Sequence, residues 1–348
     1  MNGIISDRDI SVVVQGAVLG QQTIDCLNSV RKFLPNSEII LSTWEGTKVD
    51  YLDFDKVIFN KDPGGIKQVL MSTNNFKRQL ISTKNGINEV ERKYTIKLRT
   101  DFFLTSCDFL KYFDLFQKRN EKYLIFSHRV IVLSSYSRFF SDTNYNPPIF
   151  FHPSDFFFFG LTEDLKSYVN SVDLPKDEEL YSWKCKYPNK SPYPFLCWKF
   201  SPEQFLCLGI VRKNFSNIKY DDWSDVNDYD TFLMSEKILF NNFIFLDSDM
   251  SGVASRKQNW ILKHEYQVPG LINFSVFLEK YKKYCDDSFS LKKDSFIKKE
   301  QVLKFYVNTN RKKLFKHYKK FTTPLIVFFK WFGEIFSIIF YFCKLIIK

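Results

Sequence analysis

Several features that would assign this sequence to a familiar class are missing from it. Its seven cysteines are odd in number and include no Cys-x-x-Cys pair, so it predicts neither a zinc finger nor a disulfide framework. The amino terminus places Asp7, Arg8 and Asp9 before the first apolar run, unlike a secretory signal peptide. No internal repeat is visible. We therefore expect a cytoplasmic protein with reduced thiols.

Long hydrophobic runs are also missing, although the carboxyl-terminal end is rich in apolar residues. Its longest charge-free stretches, residues 321–329 and 335–343, fall well short of the ~20 apolar residues that a membrane-spanning helix needs. The polar residues of this end recur at helical intervals: Lys330, Glu334, Ser337, Tyr341, Lys344 and Lys348. This pattern predicts an amphipathic helix in the membrane interface. The alternative is a helix packed on the domain or on a partner subunit.

Basic charge is concentrated in the same region. Residues 311–348 contain nine Lys or Arg and one acid, a net of +8 out of +11, which leaves +3 for residues 1–310. A basic groove across the main domain is therefore not expected, and we predict no nucleic-acid partner. We predict a catalytic domain in residues 1–300 and a tail in residues 301–348. Residues 311–348 would bind the anionic surface on the inner face of the cytoplasmic membrane.

The amino-terminal part has the pattern of an α/β fold. Apolar strands are predicted at residues 10–14, 38–41 and 56–59, each ending in polar or glycine-rich loops, with a helical pattern between the first two. Such strands form a mainly parallel sheet flanked by helices, and ligands of these sheets bind beyond the carboxyl ends of the strands. Further predicted elements are strands at 94–98, 122–126, 156–159 and 242–246, a helix at 69–90 and a helix beginning at Ser201-Pro202.

Arg99 and Asp101 follow the predicted strand at 94–98 and are candidates for a phosphate site. A diphosphate leaving group needs its charge offset by a divalent cation held on carboxylates or by fixed cationic side chains. Asp101 could hold the cation, and Arg99 could contact phosphate directly through its planar guanidinium. The alternative is a structural ion pair at a strand end.

Two further pairs of residues are candidates for binding and catalysis. Asn75 and Arg78 share a helix face and could contact phosphate or sugar hydroxyls, or form an ordinary solvated face. Asp155 and Glu203 are candidates for the catalytic carboxylate that direct inverting transfer requires. Either could instead be structural, Asp155 in a turn and Glu203 in the first turn of a helix, and a retaining enzyme would need no such base.

Collinear segments of the chain, between about residues 10 and 250, resemble the WavE-type family of lipopolysaccharide-synthesis proteins, glycosyltransferases of GT-A type. The matching residues are Val13 to Gly16, Leu41 to Gly46, Asn60 to Gly65, Asn75 with Arg78 and Gln79, Lys97 to Asp101, Phe151 to Gly160, and Pro202 to Gln204. This resemblance implies a GT-A-like, Rossmann-type mixed sheet flanked by helices. It also implies a nucleotide-diphosphate-sugar donor and a saccharide acceptor. Together with the basic amphipathic tail, it favours a lipid-linked saccharide acceptor, such as lipopolysaccharide core, O-antigen or capsule.

The resemblance also implies roles for individual residues at the donor site. Gln15 and Gly16 would lie below the nucleotide, and Trp44 and Glu45 would contact the base and ribose. The alternative for Trp44 is a core residue, since large aromatic side chains are usually buried for packing. Residues 62–65 could bind the donor through Asp62 or form a plain type II turn.

For catalysis, the resemblance favours Glu203 as the base or acceptor clamp, with Asp155 as a ligand of the acceptor or donor sugar. A divalent cation, Mn²⁺ or Mg²⁺, would be held by Asp101. However, Arg99 replaces the first acid of the usual Asp-x-Asp motif. His264 is a further candidate metal ligand, although a single histidine is more often structural.

The arginine at position 99 also supports a second interpretation of the chain. A non-catalytic, membrane-associated scaffold of a polysaccharide assembly complex could retain this fold after its nucleotide pocket had decayed. The two interpretations differ in one property, because only the enzyme must bind a nucleotide diphosphate.

Overall fold

The computed structural model describes most of the chain up to residue 290. The described residues are 5–65, 73–140, 148–176, 179, 199–221, 228–256 and 270–290. The predicted tail at 301–348 and the candidate ligand His264 lie outside them.

The described residues contain eleven strands: β1 (Ile10–Gln15), β2 (Glu38–Trp44), β3 (Lys56–Asn60), β4 (Tyr94–Arg99), β5 (Phe102–Leu104), β6 (Val130–Leu133), β7 (Arg138–Phe140), β8 (Pro148–His152), β9 (Phe158–Leu161), β10 (Phe243–Leu246) and β11 (Val253–Ser255). They also contain eight α-helices: α1 (Gln21–Phe33), α2 (Phe76–Asn88), α3 (Leu110–Phe113), α4 (Thr162–Val169), α5 (Pro202–Asn214), α6 (Tyr229–Asn242), α7 (Ser248–Ser251) and α8 (Phe274–Tyr284). Two short 3₁₀ helices span Asp7–Asp9 and Glu121–Tyr123.

Seven strands form one mixed sheet in the order β10-β6-β9-β4-β1-β2-β3. The neighbours β3, β2, β1 and β4 are parallel, as are β6 and β10, whereas β9 is antiparallel to both β4 and β6. The carboxyl ends of the six other strands therefore meet at one edge of the sheet. Strands β5 with β11 and β7 with β8 form two small antiparallel sheets. The prediction of an α/β fold with a mixed sheet flanked by helices is confirmed.

Strand β1 lies at the centre of the parallel half of the sheet, and all six of its residues are buried. Its sequence, Ile-Ser-Val-Val-Val-Gln, is typical of a strand that is covered on both faces. Helix α2 packs closely on it, because a Cβ atom on Gly86 would lie 2.4 Å from Cγ1 of Val13. Ser82, one turn earlier, donates to Gln15 at the carboxyl end of β1. Helix α2 thus begins near the ligand-binding edge of the sheet.

The predicted strand at 122–126 is wrong. The chain there forms a 3₁₀ turn and a loop, and the strand of this region is β6, a few residues later. The side chain of Asn242 accepts from the backbone N–H of Ile125 at 2.7 Å and donates to the carbonyl of Tyr123 at 2.7 Å. These side-chain bonds occupy backbone groups that a strand would use for pairing.

Other predicted elements differ from the observed ones at their ends. Strand β2 extends to Trp44 instead of ending at Leu41, and β9 begins at Phe158, two residues later than predicted. In the described residues the predicted helix at 69–90 begins at Phe76, so Asn75 precedes it. Helix α5 starts at Pro202 as predicted, with Ser201 and Gln204 forming a capping box.

Among the described residues, no helix combines the length and the apolar composition that crossing a bilayer requires.

Candidate functional site

The order of the strands reverses next to β1. The chain runs outward from β1 to β2 and β3, then returns to form β4 on the other side of β1. Gln15 at the end of β1 pairs in register with Arg99 at the end of β4 and with Ser42 in β2. Open α/β sheets bind ligands at such a reversal, beyond the carboxyl ends of the strands.

A cleft of about 450 Å³ opens at this reversal. It is lined by Gln15, Gly16, Ala17, Leu19, Trp44, Asp62, Asn75, Arg78, Gln79, Ser82, Arg99, Thr100 and Asp101. Every residue predicted to bind the donor is in this set except Glu45, which is exposed and does not line the cleft. The structure therefore brings together residues from β1, β2, β4, α2 and the turn at 62–65.

Arg99 and Asp101 form a bidentate ion pair on one wall of the cleft. Nε and Nη2 of Arg99 donate to Oδ1 and Oδ2 of Asp101, each at 2.8 Å. The Asp101 side chain is only 4% exposed, whereas that of Arg99 is 23% exposed. Burial alone would lower the pKa of Arg99. The hydrogen bonds and the negative charge of Asp101 have the larger combined effect, so the pKa of Arg99 is raised above its usual value. Arg99 is therefore a permanent cation.

The guanidinium of Arg99 also packs on two aromatic rings. Its Cζ lies 5.5 Å from the ring centroid of Phe102 and 5.1 Å from that of Phe156. Phe156 in turn packs on Tyr136 with a centroid separation of 4.9 Å. Tyr136 has a φ of 65°, a left-handed conformation that is rare for a bulky residue and that is found preferentially at functional sites. No pattern in the sequence predicted the left-handed conformation of Tyr136.

A second bidentate pair joins Arg78 to Asp62. Nε and Nη2 of Arg78 donate to the two carboxylate oxygens of Asp62, each at 2.7 Å, and Nη1 donates to Asn75 at 2.8 Å. Asp62 also accepts from the backbone N–H of Gly64, whose φ is 76°. A Cβ atom on Gly65 would lie 3.1 Å from Nη1 of Arg78. The residues of the predicted turn thus hold Arg78, so the turn and the cleft are parts of one structure.

Gly16 and Thr100 form the floor of the cleft. Gly16 has a φ of 123°, which only glycine adopts readily, and a Cβ atom there would lie 3.1 Å from Oγ1 of Thr100. The backbone N–H of Thr100 donates to the carbonyl of Gln15 at 3.1 Å, and the side chain of Gln15 accepts from Ser82 at 2.7 Å. The floor is therefore fixed by bonds between β1, β4 and α2.

Asp155 lies behind the cleft and contacts it through Gln79. Nε2 of Gln79, which lines the cleft, donates to Oδ2 of Asp155. The carbonyl of Asp155 accepts from Nζ of Lys97, a fully buried lysine in β4. Burial, and then the charge of Glu203, raise the pKa of Asp155 to about 6. Burial lowers the pKa of Lys97 to about 8.

Glu203 is also buried and does not line the cleft. It lies in the first turn of α5, and its Oε2 is 3.8 Å from Nε2 of His152. Burial raises the pKa of Glu203 and lowers the pKa of His152 to about 3, so the histidine is neutral at physiological pH. Glu203 interacts electrostatically with both Arg99 and Asp155. The two predicted catalytic carboxylates therefore belong to the same charged cluster as Arg99, which lines the cleft.

The described residues do not supply an obvious cation site. No group of three or more His, Cys, Asp or Glu in the described part of the chain is arranged to hold a metal ion. Both oxygens of Asp101, the predicted ligand, are bonded to Arg99. The donor set around Asp101 thus does not fit a divalent cation in this arrangement, because the described residues supply too few ligands and the Arg99 guanidinium repels a second cation.

The sequence interpretation missed several features of the cleft: the lining residues Ala17, Leu19 and Ser82, and the contact of Gln79 with Asp155. Ser82 carried a usable signal, because it lies one helical turn after Arg78 and therefore on the same face of α2. Lys97 carried another, since a lysine inside an otherwise apolar strand must be satisfied by buried partners.

The fold and the cleft together define the class of protein: an α/β protein with a polar, arginine-lined cleft at the point where its strand order reverses. The model of the WavE lipopolysaccharide synthesis family matches residues 10–319, and the chain therefore belongs to this family. Membership indicates a role in lipopolysaccharide synthesis and confirms the resemblance found in the sequence. None of the curated proteins compared with the chain matches it.

Proposed function

We propose that this protein is a glycosyltransferase that transfers a sugar from a nucleotide-diphosphate sugar to a lipid-linked saccharide during synthesis of lipopolysaccharide, O-antigen or capsule. The observation that carries the proposal is the cleft at the strand reversal, which holds two guanidinium groups, Arg78 and Arg99. A nucleotide diphosphate needs such cationic groups, and the family match supports a saccharide-related substrate.

The donor would lie along the carboxyl edge of the parallel strands. Trp44 and Leu19 are the large apolar side chains of the cleft, and Leu19 is 45% exposed, so they offer a surface for the base. Glu45, exposed beside Trp44, is proposed to accept from ribose hydroxyls. Arg78 and Arg99 would contact the diphosphate.

Transfer would take place over the buried carboxylates. We propose Glu203 as the base or acceptor clamp and Asp155 as the group that positions the sugar through Gln79, whose amide lines the cleft. A carboxylate whose pKa is raised towards neutrality is suited to proton transfer at physiological pH, and burial raises the pKa of both.

The site of action is proposed to be the inner face of the cytoplasmic membrane. Residues 311–348 carry a net charge of +8 and an apolar helical pattern, which supports binding to anionic lipid and access to a lipid-linked acceptor.

The test is a panel of nucleotide sugars screened for binding to the full chain by thermal stabilisation, in the wild type and in Asp101→Ala. We expect one donor class to raise Tm in the wild type and to have no effect in Asp101→Ala. Asp50→Ala, which removes an exposed acid away from the cleft, is the matched control and should respond like the wild type. An equal rise in Tm for the wild type and Asp101→Ala would contradict the assignment of the site. No rise in Tm with any donor would favour the scaffold interpretation.

A further inference from the structure

We infer that Arg99 provides the positive charge that a metal ion provides in enzymes with two acids at this position, and that Asp101 is a positioning residue for Arg99. The inference rests on the proposed function, because it concerns how the same cleft meets the donor diphosphate. It predicts donor binding that does not depend on a divalent cation.

The first observation is that Asp101 is buried and that Arg99 is bonded to both of its carboxylate oxygens. Both of its carboxylate oxygens accept from Arg99 at 2.8 Å, and its side chain is 4% exposed. A divalent cation bound to the remaining lone pairs of Asp101 would lie next to the guanidinium of Arg99. Two like charges so close together in a buried site repel strongly, since the protein interior screens charge far less than water does.

The second observation is the orientation of Arg99. The bonds to Asp101 use one edge of the planar guanidinium, Nε and Nη2, and leave Nη1 with its two hydrogens. The rings of Phe102 and Phe156 pack on the group and limit its rotation. Because Arg99 lines the cleft, this fixed cation can donate to a phosphate without giving up Asp101.

The third observation is that the cleft uses the same device twice. Arg78 is held by Asp62 through the same Nε and Nη2 edge, and the pair lines the same cleft. Each acid both neutralises and orients its arginine before a ligand arrives. Two guanidinium groups paired with two acids carry the same net charge as one divalent cation held by two acids, so they can offset the charge of a diphosphate leaving group in its place.

The test is a calorimetric titration of the full chain with UDP, CDP, GDP and ADP, performed in EDTA and again with Mn²⁺ or Mg²⁺. We expect one of these nucleotides to bind with the same affinity in both conditions, within about twofold. Arg99→Met should weaken it by about 30-fold, the value of one charge-assisted hydrogen bond of ~2 kcal/mol. Arg8→Met, an exposed arginine before β1, is the matched control and should bind like the wild type.

A double-mutant cycle separates positioning from metal binding. Asp101→Asn should weaken nucleotide binding in the wild-type background but have little further effect in Arg99→Met, since Asp101 acts only through Arg99. Arg99→Lys, which keeps the charge, should bind better than Arg99→Met, and near-UV circular dichroism with Tm identifies any variant that has not folded. Binding that EDTA abolishes and Mn²⁺ restores, or equal losses from Asp101→Asn in both backgrounds, overturns the inference and leaves the proposed function standing. No binding of any nucleotide in either condition overturns both.

Discussion

Gly16 shows how a single residue shapes the floor of the cleft. Its φ of 123° strains any residue that carries a Cβ atom, and a Cβ atom there would crowd Oγ1 of Thr100 at 3.1 Å. Gly16→Ala should lose about 2 kcal/mol of unfolding free energy and most nucleotide binding, because the alanine strains the backbone and pushes Thr100 towards the ligand.

The matched control for Gly16→Ala is Gly46→Ala. Gly46 also has a positive φ, 78°, but a Cβ atom there would meet no atom within 4 Å. Denaturant unfolding should show a loss for both variants, whereas calorimetry should show lost nucleotide binding only for Gly16→Ala. Equal nucleotide affinity in the two variants would contradict this account of the floor.

The pH dependence of activity should depend on Asp155. Its pKa is raised to about 6, so activity should fall as the pH drops through about 6 and the carboxylate that holds Gln79 becomes protonated. Because the folded state binds this proton more tightly than the unfolded state, the same titration adds stability as the pH falls from about 6 towards 4. Unfolding driven by Asp155 therefore cannot cause the lost activity.

The measurement is kcat/KM against pH for the wild type and for Asp155→Asn. Lys97, Arg99 and Glu203 interact electrostatically with Asp155. Burial also raises the pKa of Asp247 to about 6. The Asp155→Asn variant is therefore needed to assign the acidic limb of the pH profile to Asp155. We expect this limb to disappear from the residual activity of Asp155→Asn. An unchanged limb would assign it to another group.

At the residue scale, the strand-end residues of the cleft were predictable because parallel strands deliver their last residues to one edge. Gln15, Arg99 and Asp101 could therefore be placed together from the sequence. The hydrogen bonds between these side chains could not be predicted. The same sequence is compatible with an arginine that donates to an acid two positions away and with an arginine that is free to bind phosphate. The contact of Gln79 with Asp155 joins residues 76 positions apart and depends on packing.

At the scale of elements, helix α5 positions Glu203 through its first turn. The hydroxyl of Ser201 accepts from the backbone N–H of Gln204 at 3.2 Å, and the side chain of Gln204 accepts from the backbone N–H of Ser201. Ser201→Ala should cost about 1 kcal/mol of unfolding free energy, the usual value of such a cap, and lower activity by releasing Glu203.

Ser216→Ala, at an exposed serine beyond the end of the same helix, is the control for Ser201→Ala. It should change neither stability nor activity, as measured by denaturant titration and initial rates. A Ser201→Ala variant as stable and active as Ser216→Ala would show that the cap does not position Glu203.

Local signals in the sequence predicted this helix start but failed elsewhere. A serine, a proline and an acid in succession are sufficient to specify the first turn of α5. The apolar run at 122–126 carries no comparable sign that Asn242, far along the chain, takes its backbone groups. Long-range side-chain hydrogen bonds of this kind determine whether a segment forms a strand or a loop. The periodicity of apolar residues in the sequence carries no information about these bonds.

At the scale of the whole molecule, the charge distribution separates the two proposed functions, donor binding and membrane binding. The cleft pairs each of its arginines with an acid, whereas the net charge of +8 in residues 311–348 lies at one end of the sequence. Truncation before residue 301 should abolish flotation with vesicles that contain anionic phospholipid, and nucleotide binding should remain.

The control for this truncation is flotation of the full chain with vesicles of neutral phospholipid, which should be much weaker. Flotation that is unchanged by the truncation would show that residues 301–348 are not the membrane anchor.

The central claim is that the cleft holds a nucleotide sugar for transfer. Its most direct measurement is release of nucleoside diphosphate from a panel of nucleotide sugars by the purified full chain, with and without lipid-linked saccharide. The account predicts release from one donor, faster with acceptor, and reduced at least about 30-fold in Arg99→Met but unchanged in Arg8→Met. Absence of release with every donor, or equal release by Arg99→Met and the wild type, would contradict it.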